Sequence, residues 1–408
     1  MTDTCENATD TMNPEAQRCL LCKKARCAEA CPVRTDIPAA MRLYREGKTA
    51  EAARILFENN PFSAITAQVC HWEQFCYGHC ILNLRGEPVR WYRIEQEISM
   101  PYLLEAHPAA PAAETGKRVA IVGAGPAGIT AALRLRALGH AADLFDALPR
   151  SGGVLRYGIP DFRLDKKYAD AYERIIAEAG IRFFGNTVIG KDKTLADLRG
   201  QYDAVLLAAG AWIARALDIP GEARPQVLPA LDYLKEPDRH DLGRKVIVVG
   251  GGNVAMDACR TALRHGCEVT DVYRKDFENM PANPAEVQAA KDEGVRFQVF
   301  TVPVAVRTLD DGRTVAVVRS CENYRREDGS LATRILPGTD REIPFDTMIV
   351  SISQSPDKSL FAGEDPEQMP DVFTAGDYAL GPRTVVEAVQ SAKEAADRIA
   401  AFLAPAMP

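Results

Sequence analysis

The chain has 408 residues, 47% hydrophobic and 26% charged, which suits two or three globular domains with ample core. A formal net charge of −7 argues against a nucleic-acid binder, which needs a basic face. No run approaches about 18 consecutive apolar residues and the polar start MTDTCENATDTMNPEAQ is unlike a signal peptide, so no membrane span and a cytoplasmic location are expected.

Eight of the eleven cysteines fall in the first 80 residues: Cys5, Cys19, Cys22, Cys27, Cys31, Cys70, Cys76 and Cys80. Cytosolic thiols stay reduced, and cysteines used as small hydrophobes would scatter, so the clustering points to metal. Cys19-x2-Cys22-x4-Cys27-x3-Cys31-Pro32 followed by Cys70-x5-Cys76-x3-Cys80 resembles ferredoxin-type runs, in which the fourth cysteine serves the other cluster. Two four-iron clusters need eight protein ligands and these motifs supply seven cysteines, leaving Cys5 as one source of the eighth. Zinc sites use similar cysteine pairs, and His71 and His79 flank the second group. Zinc would make the region a scaffold; iron–sulfur would give a neighbouring flavin an electron outlet, and is the favoured reading, with the histidines structural. Residues 1–104 read as one helical domain, with a helix over 37–58, and the Pro/Ala-rich stretch 105–116 as a linker.

The texture then becomes α/β. A strand at 117–125 runs into Gly123-Ala124-Gly125-Pro126-Ala127-Gly128, and a helix over 126–139 opens with proline. In this G-x-G-x-x-G the glycines permit the turn, the approach of a diphosphate and close helix packing, while the helix N-terminus attracts the anion. Asp146 closes the next strand, where an acid holds ribose hydroxyls. Near the C-terminus, Thr374-Ala375-Gly376-Asp377 ends a strand before a helix beginning at Thr384; Asp377 is suited to a ribityl chain, and together these point to FAD.

A second such unit starts 127 positions after the first, with Gly250, Gly252 and Ala255 as G-x-G-x-x-A. Its second strand ends in Tyr273-Arg274-Lys275 in place of an acid, which favours the 2′-phosphate of NADPH; the bland alternative is a solvated basic pair diluted by Asp276 and Glu278. Strands are expected at 203–210 and 347–353, and an antiparallel pair around 302–322. The expected fold is α/β, with two Rossmann-like domains after the helical one. The FAD domain takes 117–228 and 347–408, and the NADPH domain 229–346. Cys259 and Cys267 lack the C-x-x-C spacing of a redox dithiol and read as packing residues.

Taken together, CLLCKKARCAEACP (19–32), CHWEQFCYGHC (70–80), VAIVGAGPAG (119–128), GGVLRYGIPDFRL (152–164), VVGGGNVAMDACRTAL (248–263), VYRKDFENMPA (272–282) and VFTAGDYALGPRTVVEAV (372–389) resemble the glutamate synthase small (β) chain family. That family includes the electron-input half of dihydropyrimidine dehydrogenase and its stand-alone bacterial subunit. The resemblance implies one [4Fe–4S] cluster on Cys19, Cys22, Cys27 and Cys80. It implies a second on Cys31, Cys70 and Cys76, with a fourth ligand from Ile94-Glu95-Gln96, Gln96 being the matching position. It implies FAD against Gly123, Gly125, Pro126, Ala127, Gly128, Asp146, Gly153, Val154, Arg163, Val188, Gly376, Asp377, Thr384 and Val385. NADPH would meet Gly250, Gly252, Asn253, Val254, Ala255, Arg274 and Lys275. Two departures stand out: a further arginine of the family near the 2′-phosphate falls on Pro281, and the stretch between Ser353 and Thr374 is short.

Hydride transfer between stacked nicotinamide and flavin rings requires no side-chain acid or base, so no catalytic residue is assigned. The expected function is an electron-input subunit in a hetero-oligomer. It passes electrons from NADPH through FAD and two [4Fe–4S] clusters to a separate catalytic subunit or redox protein. Glutamate synthase, a pyrimidine reductase and an NAD(P)H:ferredoxin-type reductase are the settings considered, because no substrate domain follows the flavin motif. The reading from a different class is a zinc-stabilised dinucleotide-binding assembly protein.

Overall fold

The computed structural model describes residues 13–108, 111–361, 363 and 368–404; Cys5 lies outside them. The chain forms two compact units. One comprises the chain up to Leu155 with Asp161–Gly210 and the part from Asp357 onward; the other comprises Arg156–Pro160 and Ala211–Pro356.

The first unit begins with the helices Pro14–Arg18, Arg26–Glu29, Ile37–Arg45, Thr49–Asn59, Ser63–Val69 and Trp91–Glu105. Ile37, Ala40, Met41 and Tyr44 recur at helical spacing and bury one face against Ala52, Leu56, Trp91, Ile94 and Ile98. The single helix expected over 37–58 is two helices. Gly47, at φ +74°, turns the chain between them, a conformation that costs glycine little.

This helical region docks on a five-stranded parallel sheet ordered Val372–Thr374, Ala204–Leu207, Arg118–Val122, Ala141–Phe145, Arg182–Phe184. The rings of Phe62 and Tyr172 stack with centroids 4.2 Å apart, and the Tyr172 hydroxyl donates to the Pro61 carbonyl at 2.8 Å. Lys393, on the C-terminal helix Val385–Leu403, donates to the carbonyl and side-chain oxygens of Asn59 at 2.7 and 2.9 Å. That helix packs along Pro126–Ala137, the helix after the first glycine turn.

The second unit holds another five-stranded parallel sheet, ordered Val227–Pro229, Thr347–Val350, Lys245–Val249, Glu268–Val272, Arg296–Gln298. An antiparallel sheet is inserted after it, in which Thr314–Arg325 pairs with Thr301–Thr308, Leu331–Ile335 and Arg341–Pro344. The boundaries read from sequence, 228/229 and 346/347, differ from the observed division. Thr347–Val350 hydrogen-bonds to Lys245–Val249 and so belongs to the second sheet, and Ala211–Pro229 goes with it. Cys259 and Cys267 lie in this unit's apolar core.

At the centre of that core, Asp271 pairs with Val248 and Phe297 through its backbone and is fully buried. Its Oδ2 has no hydrogen-bond partner among the described residues, and Oδ1 lies 4.0 Å from the Cys259 sulfur. Burial pushes its carboxyl well above the usual range, which favours the protonated form. A raised folded-state pKa contributes full stability below the unfolded value and loses it as pH rises toward the folded one. Asp271→Asn therefore gains stability relative to the wild type between pH 5 and pH 8. Denaturant unfolding at the two pH values should show the gap widening by about 1 kcal/mol or more, within the limit of about 1.4 kcal/mol per pH unit that one linked proton sets.

Candidate cofactor sites

The first glycine turn is built around contacts that only glycine allows. Gly123 sits at φ +105°, and a Cβ there would lie 2.3 Å from the Ala208 carbonyl oxygen of the adjoining strand. Gly128 packs on the turn itself, where a Cβ would lie 1.8 Å from the Gly123 oxygen. Gly153 approaches Gly125 so closely that its own Cβ would lie 2.8 Å from the Gly125 Cα. The helix Pro126–Ala137 has no side-chain cap at Gly125, so its first N–H groups remain available to an anion. Asp146 accepts N–H bonds from Ala124 at 2.7 Å and Leu148 at 2.8 Å, which fixes its carboxylate beside the turn.

Gly376 also crosses this turn: its φ is +62° and a Cβ would lie 2.7 Å from the Ala127 Cβ. The following Asp377 is pushed up to about 7 by burial, opposed by the Arg383 N–H it accepts at 3.1 Å and reinforced by the charge of Glu387. Thr384 caps the C-terminal helix in a capping box: its N–H and hydroxyl donate to Glu387 at 3.0 and 2.7 Å, and the Glu387 N–H returns to its oxygen. The T-x-x-E spacing signals this box in the sequence, yet Glu387 escaped the sequence reading. Val385 opens the helix and Val154 opens a short one beside Gly153. Val188 lies at the surface with its N–H on Asp192.

Cys19, Cys22, Cys27 and Cys80 line one cavity, closed on its inner side by Ile37, Pro38, Met41, Val89 and Trp91. Leu21, at φ +49°, turns the chain between the first two of these cysteines. The Arg45 guanidinium donates to the carbonyls of Ala16 and Cys19, pinning the loop; no local sequence signal marks that arginine. Burial, and the charges of Cys80 and Cys19, push the Cys27 thiol up to about 12. Four thiols converging on one apolar-walled cavity form a donor set that fits a cluster able to replace their protons.

Cys31, Cys70 and Cys76 form the second group; burial is the main cause raising each thiol, and the Cys31 charge adds to it at Cys70 and Cys76. The carboxylate among them is Glu95, which raises all three. It is 8% exposed and burial pushes it up to about 8, opposed by a hydrogen bond from Trp91. Gln96 instead donates its side-chain amide to the Ala67 carbonyl at 2.6 Å. Three thiols and a buried carboxylate also suit a cluster. His79 engages the Phe75 carbonyl. His71, lowered by burial, feels the charges of Glu73, Arg163 and Glu387, and Glu387 also raises Cys70. Ser63–Val69, which leads into Cys70, packs against the Thr384-capped helix.

In the second unit, a Cβ on Gly250 would lie 2.3 Å from the Ser351 oxygen, and one on Gly251 would enter the Tyr273 ring. The helix Asn253–Arg264 starts at Gly252 without a side-chain cap, with Ala255 buried and Val254 packed beside it. Asn253 accepts the Asn283 N–H at 2.8 Å. Arg274 is exposed and Lys275 half-buried, and neither forms an ion pair with a described residue. The inserted sheet grips this loop: Cys321 donates to the Arg274 carbonyl at 3.0 Å, and the Phe300 N–H to that of Lys275 at 3.2 Å. Asp276 is turned aside, with Oδ1 on the Asn279 N–H and amide at 2.8 and 2.6 Å and Oδ2 on the Asn323 amide at 3.3 Å. The Asn279 bond is the main cause holding its carboxyl below the usual range.

Residues 117–392 match the family profile of pyridine nucleotide-disulphide oxidoreductases, and residues 2–102 match that of dihydropyrimidine dehydrogenase domain II, 4Fe-4S cluster. The glutamate synthase [NADPH] small chain of Azospirillum brasilense is 31% identical, over 96% of this chain and 89% of its own length. That of Escherichia coli is 32% identical, over 95% and 91%. The NADPH-Fe(3+) oxidoreductase subunit beta of Geobacter sulfurreducens is 31% identical, over 93% and 64%. Among solved structures, Mycobacterium tuberculosis FprA in complex with NADPH shares the fold, with TM-score 0.61 and 20% identity over 70% of this chain and 84% of its own. The chain belongs to the pyridine nucleotide-disulphide oxidoreductases, as an NADPH-dependent FAD and [4Fe–4S] member close to the glutamate synthase small chains.

Proposed function

We propose that the chain is the electron-input subunit of a larger oxidoreductase, delivering electrons from NADPH to a partner catalytic subunit. What supports this reading is that Ser63–Val69, which leads into Cys70, packs against the C-terminal helix whose start carries Thr384 and Glu387, the expected flavin edge. Held by these residues, FAD would supply two-electron exchange with NADPH, and the clusters would supply one-electron transfer onward. The naming of relatives as a small chain and a subunit beta supports an acceptor on another polypeptide.

Each residue then has a bounded task. The free N–H groups at Gly125–Gly128 hold a diphosphate, and Asp146 and Asp377 hold hydroxyls of the ribose and ribityl chain. Arg274 and Lys275 take the 2′-phosphate, with Asp276 kept off it by Asn279 and Asn323. Cys19, Cys22, Cys27 and Cys80 hold the first cluster. Cys31, Cys70 and Cys76 hold the second, with Glu95, the buried carboxylate whose charge acts on all three, as fourth ligand; the Gln96 oxygen is the alternative, since only its amide N–H is engaged by Ala67.

Anaerobically purified protein should contain about eight irons and one FAD, the content of two four-iron clusters and one flavin site. It should bleach with NADPH more readily than with NADH; zinc in place of iron, with no bleaching, overturns the reading. Glu95→Ala should lose about half the iron and one of two paramagnetic signals of the reduced protein, while Gln96→Ala keeps both. The reverse pattern restores Gln96. Arg274→Ala should raise KM for NADPH roughly 10- to 100-fold with kcat unchanged, the scale of one or two charge-assisted hydrogen bonds. Asn323→Ala, which frees Asp276, should raise it about threefold, and neither variant should change KM for NADH.

A further inference from the structure

We propose that the surface over the first thiol group is the docking site for an acidic, one-electron redox protein face. This deepens the electron-input reading and rests on it. Among the described residues, the two most exposed large hydrophobic side chains are Leu84, at 69%, and Leu20, at 62%. Both belong to loops of the same cavity. Leu20 sits between Cys19 and Cys22 and itself lines the cavity; Leu84 ends the turn Ile81–Leu84 that follows Cys80 and supplies two further lining residues. Lys23, Lys24 and Arg26 stand exposed between Cys22 and Cys27, and Arg85 follows Leu84.

None of these four cations forms an ion pair with another described residue, whereas most of the chain's arginines do. Glu29 and Glu87 are the acids at the margin, so the patch is cationic on a chain of net charge −7. Two apolar side chains ringed by unpaired cations match the anatomy of a small transient interface, with an apolar centre for contact and charge for steering. An unpaired cation cluster on an acidic protein selects an acidic partner. Its place over the cavity of Cys19, Cys22, Cys27 and Cys80 makes it the short route for an electron leaving those ligands.

The test uses the full holoprotein with an acidic rubredoxin as probe. NADPH supplies two electrons, so one NADPH reduces two ferric rubredoxins to the ferrous form and yields NADP+ and one proton. The wild-type kcat/KM for rubredoxin should fall about tenfold between 50 and 300 mM salt. Lys23→Glu/Lys24→Glu should lower it about tenfold at low salt and flatten the salt dependence. The double variant should keep wild-type iron content, flavin bleaching by NADPH and reduction of neutral benzoquinone. Carbodiimide cross-linking should join rubredoxin carboxylates to Lys23 or Lys24, and Leu84→Ser should raise KM without altering kcat. Salt-insensitive reduction, cross-links confined to other lysines, or self-association of the wild type that the double variant abolishes each overturn the docking site. Failure of NADPH to bleach the wild-type holoprotein overturns the electron-input reading instead.

Discussion

Phe62 and Tyr172 bury their rings completely against each other where the helical region meets the first parallel sheet, and the Tyr172 hydroxyl is satisfied by Pro61. An aromatic pair of this kind adds about 0.5–1.5 kcal/mol beyond its area burial. Its larger consequence is geometric. Electron tunnelling falls off steeply with distance, so two cofactor-binding modules in series work only when their separation is fixed. The stack, with Lys393 reaching Asn59 from the C-terminal helix, fixes the thiol-bearing loops against the glycine turn. Loosening it would leave every ligand present and the route between them undefined.

Burial sets the charge balance of both thiol groups. Removed from water and crowded together, the thiols and Glu95 resist ionisation, so each group is poorly suited to standing alone as anions. Each ligand thiol must lose its proton to hold iron, so cluster loading would release protons and weaken as the pH falls. Assembly of the N-terminal region and loading of its cofactors are thereby coupled.

The two strand–glycine–helix units were legible because their information is local. Gly123, Gly128 and Gly250 do at close range what their spacing implies, and the proline signal at 126 marks a real helix start. What escaped the sequence depends on contacts across long separations. Nothing near Ile94 says that the Gln96 amide will bond the Ala67 carbonyl, one helix away. Periodicity over 37–58 reads through Gly47, because one glycine leaves the apolar stripe nearly in phase. Thr347–Val350 looks the same to either sheet, and only pairing with Lys245–Val249 assigns it.

The grip of the inserted antiparallel sheet on the Arg274–Asp276 loop separates binding from selection. The glycine turn and its helix accept any dinucleotide diphosphate, whereas Asn323 and Cys321, some fifty residues downstream, govern how the loop presents its charges. With Arg274 and Lys275 taking the 2′-phosphate as proposed, coenzyme preference would be an evolvable property of a peripheral hairpin. Drift in that hairpin can retune which nicotinamide pool feeds the chain while the nucleotide-binding core stays unaltered.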